Sequence, residues 1–207
     1  MPKGKQYHHG DLKNALIEAG IEILSQEGLH ALSLRKTAQK AGVSHTAPYA
    51  HFSDKQALIA AICTEGFKHL YADLKGAMAR YEGNPLSQLV EGAWAYIEFA
   101  TKNTEIFKIM FSSALEKEKD YPALVDITQI TFGLVVEVVK TNQKAGILRP
   151  TPPELMAVSI WSAVHGLISL ILEGQVSHTL LDQFTRRQIL SHTLSQFCLV
   201  EAPNFNA

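Results

Sequence analysis

The segment His45–His51 carries side chains that exchange hydrogen bonds but almost nothing that a helix could bury. Its residues are His-Thr-Ala-Pro-Tyr-Ala-His, so imidazole, hydroxyl and phenol groups predominate. A helix inside a core would carry a leucine or isoleucine stripe here. On an exposed helix these groups can contact base edges and phosphates. The segment therefore favours DNA reading, and a polar surface helix between two buried helices is the alternative.

The residues before this segment predict a helix and a tight turn that would position it. Small or apolar residues recur at i, i+4 and i+7 from Leu34, which is one face of an α-helix. Ser33 can cap that helix, and Gly42 stands where a helix end favours a positive φ. Ser44 can cap a second short helix. Two short helices around a glycine turn form a helix-turn-helix, whose second helix enters the major groove.

Several unusual residues stand at fixed offsets across this region. They are Gly42-Val43-Ser44, then Tyr49-x-His51-Phe52, then Asp54-Lys55-x-x-Leu58. From about Asp11 to Leu58 the chain resembles the N-terminal DNA-binding domain of TetR-family transcriptional regulators. The resemblance implies DNA contacts at the start of the first helix of the pair, along the second, and at the lysine opening the next helix. The matching residues are Ser33, Arg35, Ser44, His45, Thr46, Tyr49, His51 and Lys55.

Two residues depart from that family pattern. Thr46 stands where the family often has glycine or another small residue, and Pro48 replaces a common leucine. Pro48 removes an amide hydrogen, but in a first helical turn that amide is mostly unpaired. The departures bear on the DNA sequence that is recognised, not on the fold.

Composition gives only mild support for nucleic acid binding. The chain has 207 residues and a net charge of −1, with a net +2 in residues 1–55 and −3 in the remainder. Its two cysteines lack CxxC spacing, so neither a disulfide framework nor a zinc site is indicated. No signal peptide or uncharged membrane-length run stands out, so we expect a cytoplasmic location without a membrane. The basic segment Met1–Gly10 is either an arm at the minor groove or an end without function.

Helical periodicity and caps continue along the whole chain. Asp11 can cap a first helix reaching about Glu27, and Ser53 with Gln56 forms a capping box that opens a long helix to about Arg80. Further helices follow an Asn84 cap and a second capping box at Thr151, and no useful stretch alternates with period two. We expect an all-α fold of about nine helices. Residues 1–55 would form the helix-turn-helix domain, and residues 56–207 a helical ligand-binding and dimerisation domain.

The last two helices predict a homodimer. The helix after Thr151 is apolar nearly all round, which is typical of a helix covered on both sides. The final helix, expected over about Leu180 to Leu199, offers Leu190, Leu194 and Phe197 as a matching stripe. Two such helices from each subunit would form an isologous four-helix interface. A dimer also suits paired half-sites on DNA.

A second candidate site centres on Trp161 and His165, which share a helix face. The hexapeptide Trp161–Gly166 is similar to a Trp-x-x-x-His-Gly motif in the C-terminal domain of one TetR subgroup. An indole and an imidazole could bind a small effector, or the pair could simply be packed in the core, with Gly166 allowing close approach across the dimer. Tyr96 and Phe99 are further aromatic candidates for the pocket wall. The predicted ligand-binding residues are Trp94, Phe107, Phe111, Phe132, Trp161 and His165.

These features together predict a regulator, most simply a repressor that a small-molecule effector of unknown identity releases from double-stranded operator DNA. The resemblance implies that the effector moves the helix opening at Ser53. No catalytic residues, metal or cofactor are expected, because no paired carboxylates, nucleophile elbow or metal cluster stands out. The spacing of Glu65, His69 and Asp73 could bind a metal, but charge pairing on an exposed face is favoured. The alternatives are an all-α small-molecule-binding protein or enzyme without operator binding, and a DNA-binding activator.

Overall fold

The computed structural model describes residues 9–115 and 118–199, and within them the fold is all-α. These residues form nine α-helices and no strand beyond one isolated bridge between Leu148 and Cys198. The expected fold class is thereby confirmed. The helices are α1 His9–Glu27, α2 Leu34–Lys40, α3 Lys55–Ala79, α4 Pro85–Lys102, α5 Thr104–Met110, α6 Pro122–Lys144, α7 Pro153–Leu172, α8 His178–Gln183 and α9 Arg186–Ser195.

The helices divide into two compact units. The first contains the described residues up to Lys68 together with those in Asn103–Ile127, and the second contains His69–Lys102 and the described residues from Thr128. This division by packing differs from the sequence boundary after residue 55, because α5 packs against α1 and brings residues 103–127 into the first unit. A contact between segments so far apart leaves no local signal in the sequence.

The first unit holds α2 and the segment that follows it through a leucine- and isoleucine-rich core. Leu16 and Ile23 of α1 are fully buried, as are Leu32 before α2 and Leu58 of α3. The Ser33 hydroxyl accepts a hydrogen bond from the Lys36 amide at 3.2 Å, which confirms the predicted cap of α2. Because the backbone must reverse directly after α2, Gly42 adopts a φ of 70°.

The second helix of the pair differs in type from the prediction. An α-helix was expected over His45–His51, but the structure has a single 3₁₀ turn at Ala47–Ala50. Pro48 lies in this turn, where it is buried and where its missing amide hydrogen costs little. The expected Ser44 cap is also absent, since Thr46 precedes the turn and the two hydroxyls lie 3.1 Å apart.

Some of the helix caps are those that the sequence predicts, and others are not. Asn84 caps α4 as predicted, with its side-chain oxygen 3.1 Å from the Ser87 amide. At α3 the cap is Asp54, whose Oδ1 accepts from the Ala57 amide at 2.8 Å, while the Ser53 hydroxyl donates to the Asp54 carboxylate. The capping box expected at Thr151 does not form, because α7 begins after Pro152, which has no side chain that could cap.

α1 and the C-terminal segment also depart from their predicted bounds. α1 begins at His9, so Asp11 lies inside the helix and not at its cap. The single final helix expected over about Leu180 to Leu199 is two helices, α8 and α9, and a capping box between Thr185 and Gln188 opens the second. Leu190 and Leu194 are buried within this chain, so their stripe stabilises the second unit and is not free for a partner.

α6 and α7 are long and apolar enough to cross a membrane by length and composition alone. This is weak support for a membrane span, because the core helices of soluble proteins meet the same criteria. About a third of the most apolar window of each helix, or less, is buried within this chain.

The two possible caps of α3 can be separated by substitution. We expect Asp54→Ala to lower the melting temperature clearly, because it removes the acceptor of the Ala57 amide and a negative charge from the positive helix end. Ser53→Ala should have a much smaller effect, since within the described residues the Ser53 hydroxyl bonds to the Asp54 carboxylate and not to a backbone amide of α3. Thermal denaturation followed by circular dichroism would measure both. An equal fall in the melting temperature of the two variants would contradict the assignment of the cap to Asp54.

Candidate functional site

The turn after α2 presents polar side chains outward between two buried residues. Tyr49 is 61% exposed, whereas its neighbour Pro48 and the nearby Phe52 are buried. The amides of His51 and Phe52 both donate to the Pro48 carbonyl at 2.9 Å, which closes the turn. Ser44, His45 and Thr46 are exposed as well, and His51 is partly buried. We call the segment Ser44–His51 the reading turn.

The cations of α2 differ in their surroundings. Lys36 forms an ion pair with Glu27 of α1, and Lys40 forms one with Glu22 at 2.7 Å. Arg35 is exposed and, within the described part of the chain, forms no ion pair. Arg35 is therefore the cation of α2 best placed to contact an external anion.

Two of the eight predicted DNA contacts bond to parts of the chain outside the reading turn, and two others, Ser44 and Thr46, have hydroxyls 3.1 Å apart that can bond to each other. The Ser33 hydroxyl caps α2, and the Lys55 ammonium, which is partly buried, donates to the Leu29 carbonyl at 3.0 Å. The remaining six lie together in the first unit, on α2 or in the reading turn. The N-terminal segment through residue 8, for which a minor-groove contact was one interpretation, lies outside the described residues.

In the second unit, Trp161 and His165 meet at one hydroxyl group. The Tyr96 oxygen on α4 accepts a hydrogen bond from Trp161 Nε1 at 3.1 Å and lies 2.9 Å from His165 Nδ1. Phe132 of α6 packs near the indole, with ring centroids 6.2 Å apart. From the sequence, Tyr96 was predicted only as a possible part of the pocket wall. No local sequence pattern indicates that α4 and α7 meet at this residue. We call Tyr96, Trp161 and His165 the aromatic triad.

Three other predicted ligand-binding residues pack against further side chains. The ring of Trp94 faces the guanidinium group of Arg187 at 5.3 Å, and Arg187 also pairs with Glu91. Phe107 and Phe111 belong to the first unit, where their ring centroids are 4.9 Å apart and Phe111 packs on Phe67.

Burial determines the charge state of the aromatic triad. It lowers the pKa of His165 and raises the pKa of Tyr96 well above its ordinary value. Near neutral pH both groups are uncharged, which suits hydrogen bonding to a polar but neutral ligand group. Elsewhere, Glu65 accepts from Lys68 at 2.7 Å, and the described residues contain no cluster of three or more metal-ligating side chains.

The geometry of the first unit is that of a helix-turn-helix DNA-binding protein, and the second is a separate helical domain. Two family models match these regions. Residues 16–62 match the model "Bacterial regulatory proteins, tetR family", and residues 89–192 match "Tetracyclin repressor-like, C-terminal domain". The chain belongs to the TetR family of DNA-binding transcriptional regulators, whose members are not enzymes. Regulators of this family bind operator DNA, respond to small-molecule ligands, form dimers and are generally cytoplasmic.

Individual relatives are similar over different lengths. A solved structure from Rhodococcus sp. RHA1, described as a protein with unknown function, has a TM-score of 0.78 and 28% identity, with 94% of this chain and 97% of that chain covered. The transcriptional activator FasR of Mycolicibacterium smegmatis is 23% identical over 80% of this chain and 76% of its own. The uncharacterized regulator YobS of Bacillus subtilis is 24% identical over 54% of this chain, and the match spans only 57% of YobS.

The lowered pKa of His165 predicts how stability depends on pH. Below its ordinary value of 6.5 the unfolded chain binds a proton that the folded chain resists. The stability that comes from keeping His165 neutral is therefore fully present above pH 6.5 and is lost as the pH falls below 6.5. Denaturant unfolding between about pH 7.5 and about pH 5 should show a steeper loss for the wild type than for His165→Gln. If the free energy of unfolding fell equally with pH in the wild type and in His165→Gln, the pH dependence would not come from His165.

Proposed function

We propose that this protein is a homodimeric, cytoplasmic repressor that a small-molecule effector releases from double-stranded operator DNA. The observation that carries the proposal is the reading turn, which exposes Tyr49 between buried Pro48 and Phe52. Such an arrangement places polar side chains where a DNA groove can receive them. The family model of the second domain is described as repressor-like, whereas FasR is named an activator, so activation is the second candidate.

The proposed DNA surface combines one cation with neutral hydrogen-bonding groups. Arg35 would contact a phosphate or a guanine edge, and Tyr49 would contact the backbone or a base. Ser44, His45, Thr46 and His51 complete the surface along the reading turn. Two copies related by a two-fold axis would place their reading turns in successive major grooves.

The proposed effector site includes the aromatic triad in the second unit. Trp161 offers an indole for stacking, and the Tyr96 hydroxyl and the His165 imidazole offer neutral hydrogen-bonding groups. Phe132 and Trp94 would extend the apolar wall. Phe107 packs on Phe111, which packs on Phe67 in the first unit, and both Phe107 and Phe111 remain proposed ligand contacts. The motif Trp161-x-x-x-His165-Gly166 supports the proposal that the chain belongs to the family subgroup that carries it.

Effector binding would act through α3. This helix belongs to the first unit up to Lys68 and to the second from His69. An effector that binds one arrangement of the second unit more tightly, by about 1–3 kcal/mol, would shift the population of reading-turn positions.

The proposed dimer surface is the outward side of α7. Leu155 and Leu170 are 64% and 50% exposed near its two ends, and Val158 is exposed between them. Ser162 and Gly166 lie on the same side, and a Cβ added at Gly166 would meet nothing within 4 Å in this chain. Small residues between apolar ones allow two helices to approach closely, so a second copy of α7 fits this side. Two exposed residues, Leu180 of α8 and Phe184 just after it, would extend the interface.

Binding to DNA tests the central proposal. A labelled duplex from just upstream of the protein's own gene, titrated with protein and followed by fluorescence anisotropy, should bind at least about 10³-fold more tightly than a scrambled duplex. Arg35→Ala and Tyr49→Ala should each weaken specific binding by roughly tenfold to a hundredfold. Arg80→Ala and Tyr81→Ala, exposed residues of the same types outside this surface, should not. Addition of an effector should release the complex. Wild-type affinity in the first two variants would contradict the proposed surface.

The dimer surface is tested with a matched pair of glycines. Gly166 on α7 and Gly76 on α3 are both exposed helical residues at which an added Cβ meets nothing within 4 Å. We expect Gly166→Leu to raise the dimer dissociation constant by about tenfold or more, because an overpacked interface costs about 1–3 kcal/mol. Gly76→Leu should leave it unchanged. Sedimentation equilibrium would measure both dissociation constants. Equal values in the two variants would exclude this side of α7 as the dimer interface.

A further inference from the structure

We propose that Tyr96 holds His165 in the tautomer that carries its proton on Nε2, so that the aromatic triad takes effectors that present a hydrogen-bond acceptor. The three side chains form one chain of contacts, because the Tyr96 oxygen lies 3.1 Å from Trp161 Nε1 and 2.9 Å from His165 Nδ1. Tyr96 is then a positioning residue that acts through the imidazole. This role rests on the effector site proposed above and names the class of ligand for that site.

The direction of the chain is set at the indole. An indole N–H donates a hydrogen bond and cannot accept one, so the Tyr96 oxygen must be the acceptor of the bond from Trp161. A phenol that accepts one bond still has its own proton to donate. Burial raises the pKa of Tyr96 well above its ordinary value, so the phenol keeps that proton near neutral pH. Tyr96 therefore meets His165 as a neutral phenol.

Two arrangements fit the distance between Tyr96 and His165. Either the phenol donates to an unprotonated Nδ1, or a protonated Nδ1 donates to the phenol oxygen. The first arrangement joins the stronger donor to the stronger acceptor, because a phenol is a better acid than a neutral imidazole and an imidazole nitrogen is a better base than a phenol oxygen. The bond from the indole favours it further, since a hydroxyl that accepts one hydrogen bond donates a stronger one. Nδ1 of His165 is therefore the acceptor.

The tautomer decides which group an effector has to present. Burial lowers the pKa of His165, so near neutral pH the ring is uncharged and carries one proton. With Nδ1 accepting from Tyr96, that proton is on Nε2, and the imidazole is a donor toward a ligand. The imidazole is only partly buried and Trp161 is 37% exposed, so a ligand can reach this part of the unit. The triad therefore fits a neutral aromatic ligand with a carbonyl oxygen or an unprotonated ring nitrogen, and the Phe132 ring adds an apolar wall.

The ligand-free protein tests the tautomer. In the ¹⁵N-labelled full chain at about pH 8, we expect His165 Nδ1 to show the chemical shift of an unprotonated ring nitrogen and Nε2 that of a protonated one. The loss of these signals in His165→Gln assigns them. Tyr96→Phe should move both shifts toward the average of the two tautomers, because a phenyl ring keeps the packing but cannot donate. Tyr81→Phe removes a hydroxyl from an exposed tyrosine outside the triad and should leave both shifts unchanged. A protonated Nδ1 in the wild type would overturn the proposal.

Two neutral bicyclic probes test the ligand class. Quinoline presents an acceptor nitrogen, whereas indole presents a donor N–H. We expect quinoline to bind at least about tenfold more tightly than indole, because two donors that face each other leave both unpaired. Titrations followed by the His165 Nε2 and Trp161 Nε1 shifts would measure both affinities. Tyr96→Phe should reduce the preference for quinoline, and Tyr81→Phe should not.

The two measurements fail in different ways. Equal affinities for the two probes, or tighter binding of indole, would overturn the acceptor class of the ligand. If neither probe shifts the Trp161 and His165 signals, the effector site proposed above fails. The ligand-free spectrum still decides by itself whether Tyr96 sets the tautomer of His165.

Discussion

Burial of Pro48 and Phe52 on either side of Tyr49 is the constraint on which the DNA surface depends. A single 3₁₀ turn of four residues, Ala47–Ala50, is too short to hold its own conformation in water. The two buried side chains attach it to the core of the first unit, and the Pro48 carbonyl closes it by accepting two amides. The proline that lies inside the 3₁₀ turn therefore also anchors it. These two buried side chains hold Tyr49 in its exposed position.

Local signals in the sequence predicted the elements well where a single interaction decides them. Ser33 and Asn84 cap their helices as expected, and Gly42 has the positive φ that its position indicated. Prediction failed where two local candidates competed. At α3 both Ser53 and Asp54 can cap, and the aspartate prevails because a carboxylate bonds the amide and also favours the positive helix end. At α7 a proline beside Thr151 displaced the helix start.

The second unit shows what periodicity cannot predict. The sequence placed Trp161 and His165 on one helix face but could not say what faced them. Their shared partner is Tyr96, 65 and 69 residues away in sequence, and no local pattern links the two segments. Likewise, the stripe of Leu190 and Leu194 was consistent with either an interface or a core. Only the packing of α9 against α4 and α7 shows that these leucines are buried within one chain.

Helical geometry couples the two proposed functions of α7. With 3.6 residues per turn, Trp161 and His165 form one side of the helix, and Ser162 and Gly166 form the side about 100° away. The first pair bonds to Tyr96 inside the unit, and the second pair lies on the outward surface. A rigid helix cannot rotate one side without the other, so a ligand that rotates α7 through the indole or imidazole would also move the surface proposed for the second copy. Effector affinity and dimer geometry would then share one coupling free energy, and each would have to change the other by the same amount.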